Sequence, residues 1–401
     1  MMARVAMYYP WIYVKGGIER TILELATRSR HDWTVFTSHY RPEDTFPGYS
    51  DLRVKQIGSV SVRRNVRSVA GACGSLLAQS GRWDGYDALM VSCDGIGNLL
   101  ALRARGLPLL CLCHTPLKIS YDPHARARWL QLFRPSLPTR AGVWLFRQVD
   151  RLAWKRYQRV FCVSEEVQRR LLAAGVIPAT RTQIVHPGVD LDSLAPTGAR
   201  EPFFLLPGRV MWSKNIELGL QAFLNLKLRS EDERVRASRL VIAGMVDEKS
   251  RWYLDQLRAL AGGRDDIEFV VSPSDDQLFS LYDRCTAVLL PPPNEDWGIV
   301  PLEGMAFGKP VIAVDQGGPA ESIIHAETGF LYPADPAAWA DAMFRLITEP
   351  DLYAAMSRAA RLRAQRYSWQ SFVDSIDEYL DELLAVSANR QSVALHDAHR
   401  V

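Results

Sequence analysis

Short apolar runs of strand length alternate with helix-patterned stretches along almost the whole 401-residue chain, and the alternation occurs twice over. In the first half the strand candidates are residues 5–9, 33–37, 88–92, 107–113 and 159–163; in the second they are 203–206, 240–243, 267–271, 287–290 and 310–314. Strands separated by helices predict βα units and parallel sheets, so the fold class is α/β. Each half opens with a strand, a turn that carries glycine, and a helix: YYPWIYVKGGIERTILELA in the first, FFLLPGRVMWSKNIELGLQAF in the second. The pattern therefore predicts two Rossmann-like, doubly wound domains in tandem, spanning 1–195 and 200–370. The boundary falls in LDSLAPTGAREP, residues 191–202, where Pro, Gly and Asp interrupt any periodicity. The stretch SWQSFVDSIDEYLDELLAV, residues 368–386, reads as an amphipathic helix; a helix over 371–388 is expected to return to the first domain, and 389–401 reads as a disordered tail.

With 48% hydrophobic and 23% charged residues, a chain of this length can bury two cores. The start MMARVAMYYPWIY has neither the charged region nor the long apolar run of a secretory signal, and no apolar stretch approaches the roughly 20 residues of a membrane span, which predicts a cytoplasmic protein. The net charge of +3 conceals an asymmetry: residues 1–195 carry 27 Lys or Arg against 15 acids, and the remainder 21 against 30, or about +12 and −9. A positive wall on an inter-domain cleft favours a phosphorylated ligand or an anionic surface. The six cysteines, at 73, 93, 111, 113, 162 and 285, follow no disulfide framework. Cys111, Cys113 and His114 lie close enough to suggest zinc, but no second pair completes four ligands, and LPLLCLCHTP reads as a buried strand in which Cys packs as a small apolar group.

Several stretches carry chemistry, each with a plainer alternative. Gly16 and Gly17 lie between the first strand and a helix beginning near Ile18, where bare backbone and free N–H donors suit an anion, although any βα turn uses glycine for geometry alone. A nicotinamide fingerprint is incomplete: after ALMVS come Gly95, Ile96 and Gly97, but Leu100 stands where a third glycine belongs. Arg209 and Lys214 follow the first strand of the second domain, at the carboxyl end where open α/β sheets bind ligands; two cations there suit a diphosphate, or form a solvated loop. Glu295 hangs beyond the strand 287–290, which Pro291–Pro293 terminates, and Pro301 as the first helical residue puts Glu303 in a first turn. Paired carboxylates suit the adjacent hydroxyls of a sugar or ribose, but a first-turn Glu also stabilises a helix by about 0.3–1 kcal/mol through its dipole. Spacing does not decide between these roles. A glycosidase acid and nucleophile is a further reading, and it leaves the Arg and Lys on the same lip unexplained.

The segment NEDWGIVPLEGMAFGKPVIAVDQGGPAES, residues 294–322, resembles the signature of retaining glycosyltransferase family 4, in which seven residues separate two glutamates. Other similarities follow in family order: KGGIER, CHTP at 113–116, VSEEVQRRLL at 163–172, HPGVDLDSL at 186–194 and PGRVMWSKN at 207–215. The resemblance implies the GT-B fold, two Rossmann-like domains facing each other across a cleft, and transfer of a hexose from a nucleotide diphosphate sugar. It implies that Glu303 holds the ribose hydroxyls and Glu295 the donor sugar, that Arg209 and Lys214 neutralise the diphosphate, and that Gly16 and Gly17 approach the phosphates. His114 would lie close to the transferred sugar, with a strand-ending core histidine as its alternative. The backbone from Asp296 through Trp297, Gly298 and Ile299 to Val300 would face the donor. Asp190, Leu191, Asp192 has the letters of a metal-bridging motif, but the family places that segment between the domains, so the expectation is a metal-independent enzyme without a cofactor.

The style of NEDWGIVPLE and CHTPLKISYD is most similar to GDP-mannose-dependent mannosyltransferases, while UDP-glucose and UDP-N-acetylglucosamine enzymes share nearly the same motifs. A catalytically silent sugar-nucleotide-binding or scaffold protein is the alternative of another class. For an acceptor, residues 124–160 hold nine Lys or Arg against one acid, with Trp129, Phe133, Trp144, Phe146 and Trp154 interleaved. Such a stretch suits an anionic membrane surface or a phosphorylated carrier, or else a basic helix packing its aromatics on its own domain. It contains no recognised nucleic-acid module, and nucleic acid is not expected as a partner.

Overall fold

Two parallel sheets emerge from the alternation, each with helices as its crossovers. The computed structural model describes residues 2–60, 66–78, 83–93, 95–191 and 194–398. The first sheet has seven strands in the spatial order Arg53–Gln56, Asp32–Thr37, Arg4–Tyr8, Ala88–Cys93, Leu109–Cys113, Arg159–Cys162 and Thr182–Ile184. The second has six, in the order Ile267–Val271, Arg239–Gly244, Phe203–Pro207, Ala287–Leu290, Val311–Val314 and Gly329–Tyr332. Every pairing within both sheets is parallel. In each, the first strand of the domain sits third and the order reverses beside it, which is the doubly wound arrangement with its ligand crevice at the reversal point. A separate pair of two-residue strands, Trp11–Ile12 and His39–Tyr40, extends past the carboxyl ends of the first sheet.

The core strands are apolar on both faces because helices cover both faces. Ala88–Cys93, Leu109–Cys113, Phe203–Pro207 and Ala287–Leu290 are buried throughout. Cys111 and Cys113 are among these buried residues, and all six cysteines are free thiols. After Ala88–Cys93 the chain runs through Gly95 into a 3-10 segment, Ile96–Leu102, rather than into the α-helix a dinucleotide fingerprint opens.

The chain divides into two compact units, Met1–Pro187 with Trp369–Val401, and Gly188–Ser368. The division precedes the 191–202 segment, whose residues from Thr197 onward are tied to the second unit. Asp283 accepts from Thr197 N and Oγ1 at 2.9 and 2.5 Å, and Lys309 Nζ donates to Ala199 O at 2.7 Å. The last helix runs Trp369–Ala398, ten residues past the expected stop at 388, so that most of the expected tail is helical. It docks in the first unit, where Asp377 accepts from Ser29 Oγ at 2.6 Å and Arg30 N at 3.0 Å, and Arg30 Nε donates to Asp381 at 3.0 Å. Residues 399–401 and Asp192 lie outside the described residues.

Candidate active site

In the second unit the reversal point lies between Phe203–Pro207 and Ala287–Leu290, and the loops leaving those two strands meet. Gly208 leaves the first strand at φ 124°, a conformation that suits glycine. Its N–H donates to Ala243 O at 2.9 Å, and Val210 N donates to Met245 O at 2.9 Å. A Cβ on Gly244 would land on the Gly208 carbonyl, so bare backbone on the neighbouring strand permits this approach. The loop then exposes Arg209 and makes a single turn, Trp212–Lys214. Asn215, in left-handed geometry at φ 51°, donates from Nδ2 to Pro291 O at 3.1 Å before the helix Ile216–Arg229 begins.

From the second strand, Pro291–Pro293 ends the ladder and Asn294 turns the chain at φ 51°. Glu295 is then seated on the loop after Val311–Val314. It forms an isolated bridge with Gly317, and its carbonyl accepts from Gly318 N at 2.9 Å. Gly317 has φ 78°, and a Cβ on Gly318 would press on the backbone of Asp296 and Trp297. The seat thus requires both glycines, which stand inside the 294–322 segment although the sequence reading gave them no role. Lys214 Nζ lies 2.7 Å from Glu295 Oε2, their side chains 29% and 14% exposed. Two residues 81 positions apart are therefore one ion pair at the lip of the sheet.

The helix after this loop corrects one expectation. It spans Ile299–Ala306, capped by Gly298 at φ 84°, so Pro301 is its third residue and Glu303 lies in the second turn. Proline is tolerated at the third position because that N–H lacks an intrahelical acceptor in any case. Moving Glu303 out of the first turn weakens the purely dipolar explanation for it. Its Oε2 accepts from Tyr282 OH at 2.7 Å. Tyr282 is fully buried and stacked on Phe307, and burial followed by the Glu303 carboxylate pushes its phenol well above the usual range, so it stays a donor. One oxygen of the half-buried Glu303 is anchored in this way. Asp296, Gly298, Ile299 and Val300 are half-buried around the loop and Trp297 is buried.

Gly16, Gly17 and His114 belong to the first unit. Gly16 caps the helix Gly17–Arg28 in extended geometry, φ −112°, so its conformation does not demand glycine. A Cβ there would meet the carboxylate of Glu19, a buried acid in the first turn that sequence reasoning overlooked. That acid faces the helix N-terminus, where its charge is stabilised. His114 ends Leu109–Cys113 at the carboxyl edge; its N–H donates to Cys93 O at 3.1 Å and its Nε2 lies 3.0 Å from Ser92 Oγ. Among the described residues no three His, Cys, Asp or Glu side chains are grouped so as to hold a metal.

Two family descriptions match the chain, one on each side of residue 194: Glycosyltransferase Family 4 over residues 15–193 and Glycosyl transferases group 1 over residues 195–363. The human alpha-1,3/1,6-mannosyltransferase ALG2 is 38% identical over 92% of this chain and 94% of its own length. The chain belongs to glycosyltransferase family 4. Among solved structures, the Thermosynechococcus elongatus sucrose-phosphate synthase superposes with a TM-score of 0.75 at 19% identity, covering 96% of this chain and 100% of its own. The Anabaena HepE complex with UDP and glucose superposes at 0.70 and 18% identity, covering 94% and 99%. These likenesses establish the fold of this family 4 glycosyltransferase as GT-B.

In the glycosyltransferase the basic segment 124–160 forms the helices Pro123–Phe133 and Leu137–Trp154 and the start of a core strand. Its aromatics divide: Trp154 is buried and donates to Asp150 at 2.8 Å, Trp129 and Phe146 are half-buried, and Phe133 and Trp144 are 47% and 62% exposed. Leu132, Leu137 and Leu145 join the exposed set. Among the described residues no helix is long and apolar enough to cross a membrane.

Proposed function

We propose that the chain is a retaining hexosyltransferase that moves mannose from GDP-mannose to a hydroxyl of a glycan, lipid-linked or small-molecule acceptor, without a divalent metal or other cofactor. The observation that carries this reading is the 38% identity to the human mannosyltransferase over 92% of the chain. The lip geometry agrees with it. Cleaving the bond to a nucleoside diphosphate develops negative charge on phosphate and positive charge at the anomeric carbon, and fixed cations stabilise that separation. Arg209 and Lys214 supply the cations, Glu295 the acceptors for the sugar hydroxyls, and Glu303 those for the ribose. The backbone from Asp296 to Val300 borders the donor, and His114, Gly16 and Gly17, which belong to the first unit, are assigned to donor binding by the family resemblance alone. Retention follows from a same-face displacement in which the leaving phosphate takes the acceptor proton, so the reading assigns no separate base.

The test is a thermal-shift panel of GDP-mannose, UDP-glucose, UDP-N-acetylglucosamine and ADP-glucose. A ligand at about 100 times its dissociation constant adds roughly 2.7 kcal/mol, a readable shift. GDP-mannose is expected to give the largest. A larger shift with a UDP-sugar would replace the donor assignment, and binding without transfer to any acceptor would favour the silent scaffold.

The same reading includes peripheral contact with an anionic membrane through 124–160, with the enzyme on the cytoplasmic face. Exposed Phe133, Leu137, Trp144 and Leu145 would insert among headgroups while Arg126, Arg134 and Arg140 meet lipid phosphates, each basic residue near the surface contributing about 1 kcal/mol. Co-sedimentation with phosphatidylserine vesicles is expected to fall several-fold in Trp144→Ala and at high salt; equal sedimentation with neutral vesicles would remove the electrostatic part.

A further inference from the structure

The loop that carries Glu295 rests on a residue outside every motif named above. Trp297, two positions on, is 3% exposed and meets the ring of Tyr367 edge to face, centroids 5.2 Å apart. Tyr367 is itself fixed. Its hydroxyl accepts from Arg363 Nη2 at 2.8 Å and donates to Glu321 O at 3.2 Å. Arg363 also donates to the carbonyls of Glu321 and Ser322, at 2.7 and 2.9 Å. The Arg363–Tyr367 pair thus clamps the end of the short helix that begins beyond Gly317 and Gly318, the glycines that seat Glu295.

Tyr367 also stands where the chain leaves the second unit, since Ser368 is that unit's last residue and Gly188 its first. The two crossings are joined at this point. Val189 N–H donates to Tyr367 O at 3.0 Å, and Val189 forms a parallel bridge with Ser368. One residue therefore touches the donor loop with its ring, the Glu321 segment with its hydroxyl and the other crossing with its carbonyl.

We propose that Tyr367 is a positioning residue that fixes the sugar-reading loop through Trp297 and transmits the state of that loop to both chain crossings. The proposal rests on the nucleotide-sugar reading above. A loop that tightens on a donor sugar moves Trp297, and Trp297 cannot move far without the ring beneath it, because close-packed contacts shift together. The crossing at Val189 then becomes more or less protected according to the occupancy of Glu295. A nucleoside diphosphate that lacks the sugar offers Glu295 no sugar hydroxyls and leaves the crossing unchanged.

The experiment compares wild type, Tyr367→Phe and Tyr367→Leu. Tyr367→Leu is expected to retain nucleoside diphosphate affinity within about threefold and to lose on the order of tenfold or more in kcat, as a displaced catalytic loop does. Tyr367→Phe keeps the ring against Trp297 and is expected to recover most of that loss. The accompanying readout is amide hydrogen exchange at 188–190 and 367–369: nucleotide sugar, but not nucleoside diphosphate, slows it in wild type and Tyr367→Phe and leaves Tyr367→Leu unchanged. If the Leu variant does not fold, Trp297→Phe shortens the same contact from the other side and is expected to show the same uncoupling. Wild type that binds a nucleotide sugar with no change in exchange at the crossing overturns the proposal, as does a Leu variant with normal kcat. Wild type that binds no nucleotide sugar overturns the functional reading instead.

Discussion

Glu295→Ala is expected to reduce turnover by about 100-fold or more while GDP binding stays level or tightens slightly. A carboxylate that accepts hydrogen bonds from sugar hydroxyls contributes about 1.5–3 kcal/mol per bond, and two such bonds lost only in the transition state correspond to a factor of about 10²–10⁴. The effect on GDP has the opposite sign for a geometric reason. In the free protein Lys214 Nζ lies 2.7 Å from Glu295 Oε2, so much of its positive charge is already met by an acid. Deleting that acid leaves the ammonium to face a diphosphate uncompensated. Lys214→Ala should do the reverse, weakening GDP binding and removing one counter-charge from the partly buried Glu295. The pair is in contact, so a double-mutant cycle should be non-additive. Calorimetric dissociation constants for GDP beside kcat and kcat/KM separate the two roles. Parallel losses in affinity and turnover for Glu295→Ala would assign that acid to the nucleotide instead.

The parts of this molecule that were legible in its sequence are those whose physics is local or fully buried. Ala287–Leu290 coincides with its apolar run because a central strand covered on both faces has little room for polar residues. Three strands gave no such signal, Arg53–Gln56, Thr182–Ile184 and Gly329–Tyr332, and all three lie at sheet edges. Arg53–Gln56 is exposed or half-exposed along its length, so no continuous apolar run marks it. An edge strand pairs on one side and can carry charge without loss. The start of the helix Ile299–Ala306 was misread by two residues because Pro301 looks like a first helical residue, whereas Gly298 at φ 84° is what turns the chain.

The site divides along the same line. That Glu295 and Glu303 stand beyond the carboxyl end of Ala287–Leu290 followed from the apolar run and the prolines that end it. Their partners did not. Lys214 reaches Glu295 across 81 residues because parallel topology sets the first and fourth strands side by side, and Tyr282 reaches Glu303 across 21. No spacing in the sequence encodes either contact. The glycines at 317 and 318 were in view, but their function is to let two loops touch, which becomes visible only when both loops are present.

The largest effect on stability is expected at Asp150, a buried acid that sequence reading passed over as the one negative charge in a basic stretch. Its carboxylate accepts from Asn98 Nδ2 at 2.7 Å, Tyr121 OH at 2.7 Å and Trp154 Nε1 at 2.8 Å, with Tyr157 OH donating in turn to Asn98 Oδ1 at 2.5 Å. Asp150 lies on the helix Leu137–Trp154, and Tyr121 immediately precedes the residue that caps Pro123–Phe133, so this one carboxylate fastens both basic helices to the first unit. Asp150→Ala strands three buried donors, each costing about 1–3 kcal/mol, and about 3–5 kcal/mol of unfolding free energy is expected to be lost, measured by urea denaturation. Burial is the main cause that raises the Asp150 carboxyl from its usual range to about 7, with the three donors opposing it. Because the folded protein holds this proton more tightly than the unfolded chain, the group favours folding at low pH, and that contribution disappears as pH rises through 7. Wild type should therefore gain stability between pH 8 and pH 5 relative to Asp150→Asn, which has no proton to take up there. Parallel stability curves for the two proteins across that window would mean that Asp150 stays ionised in its buried network.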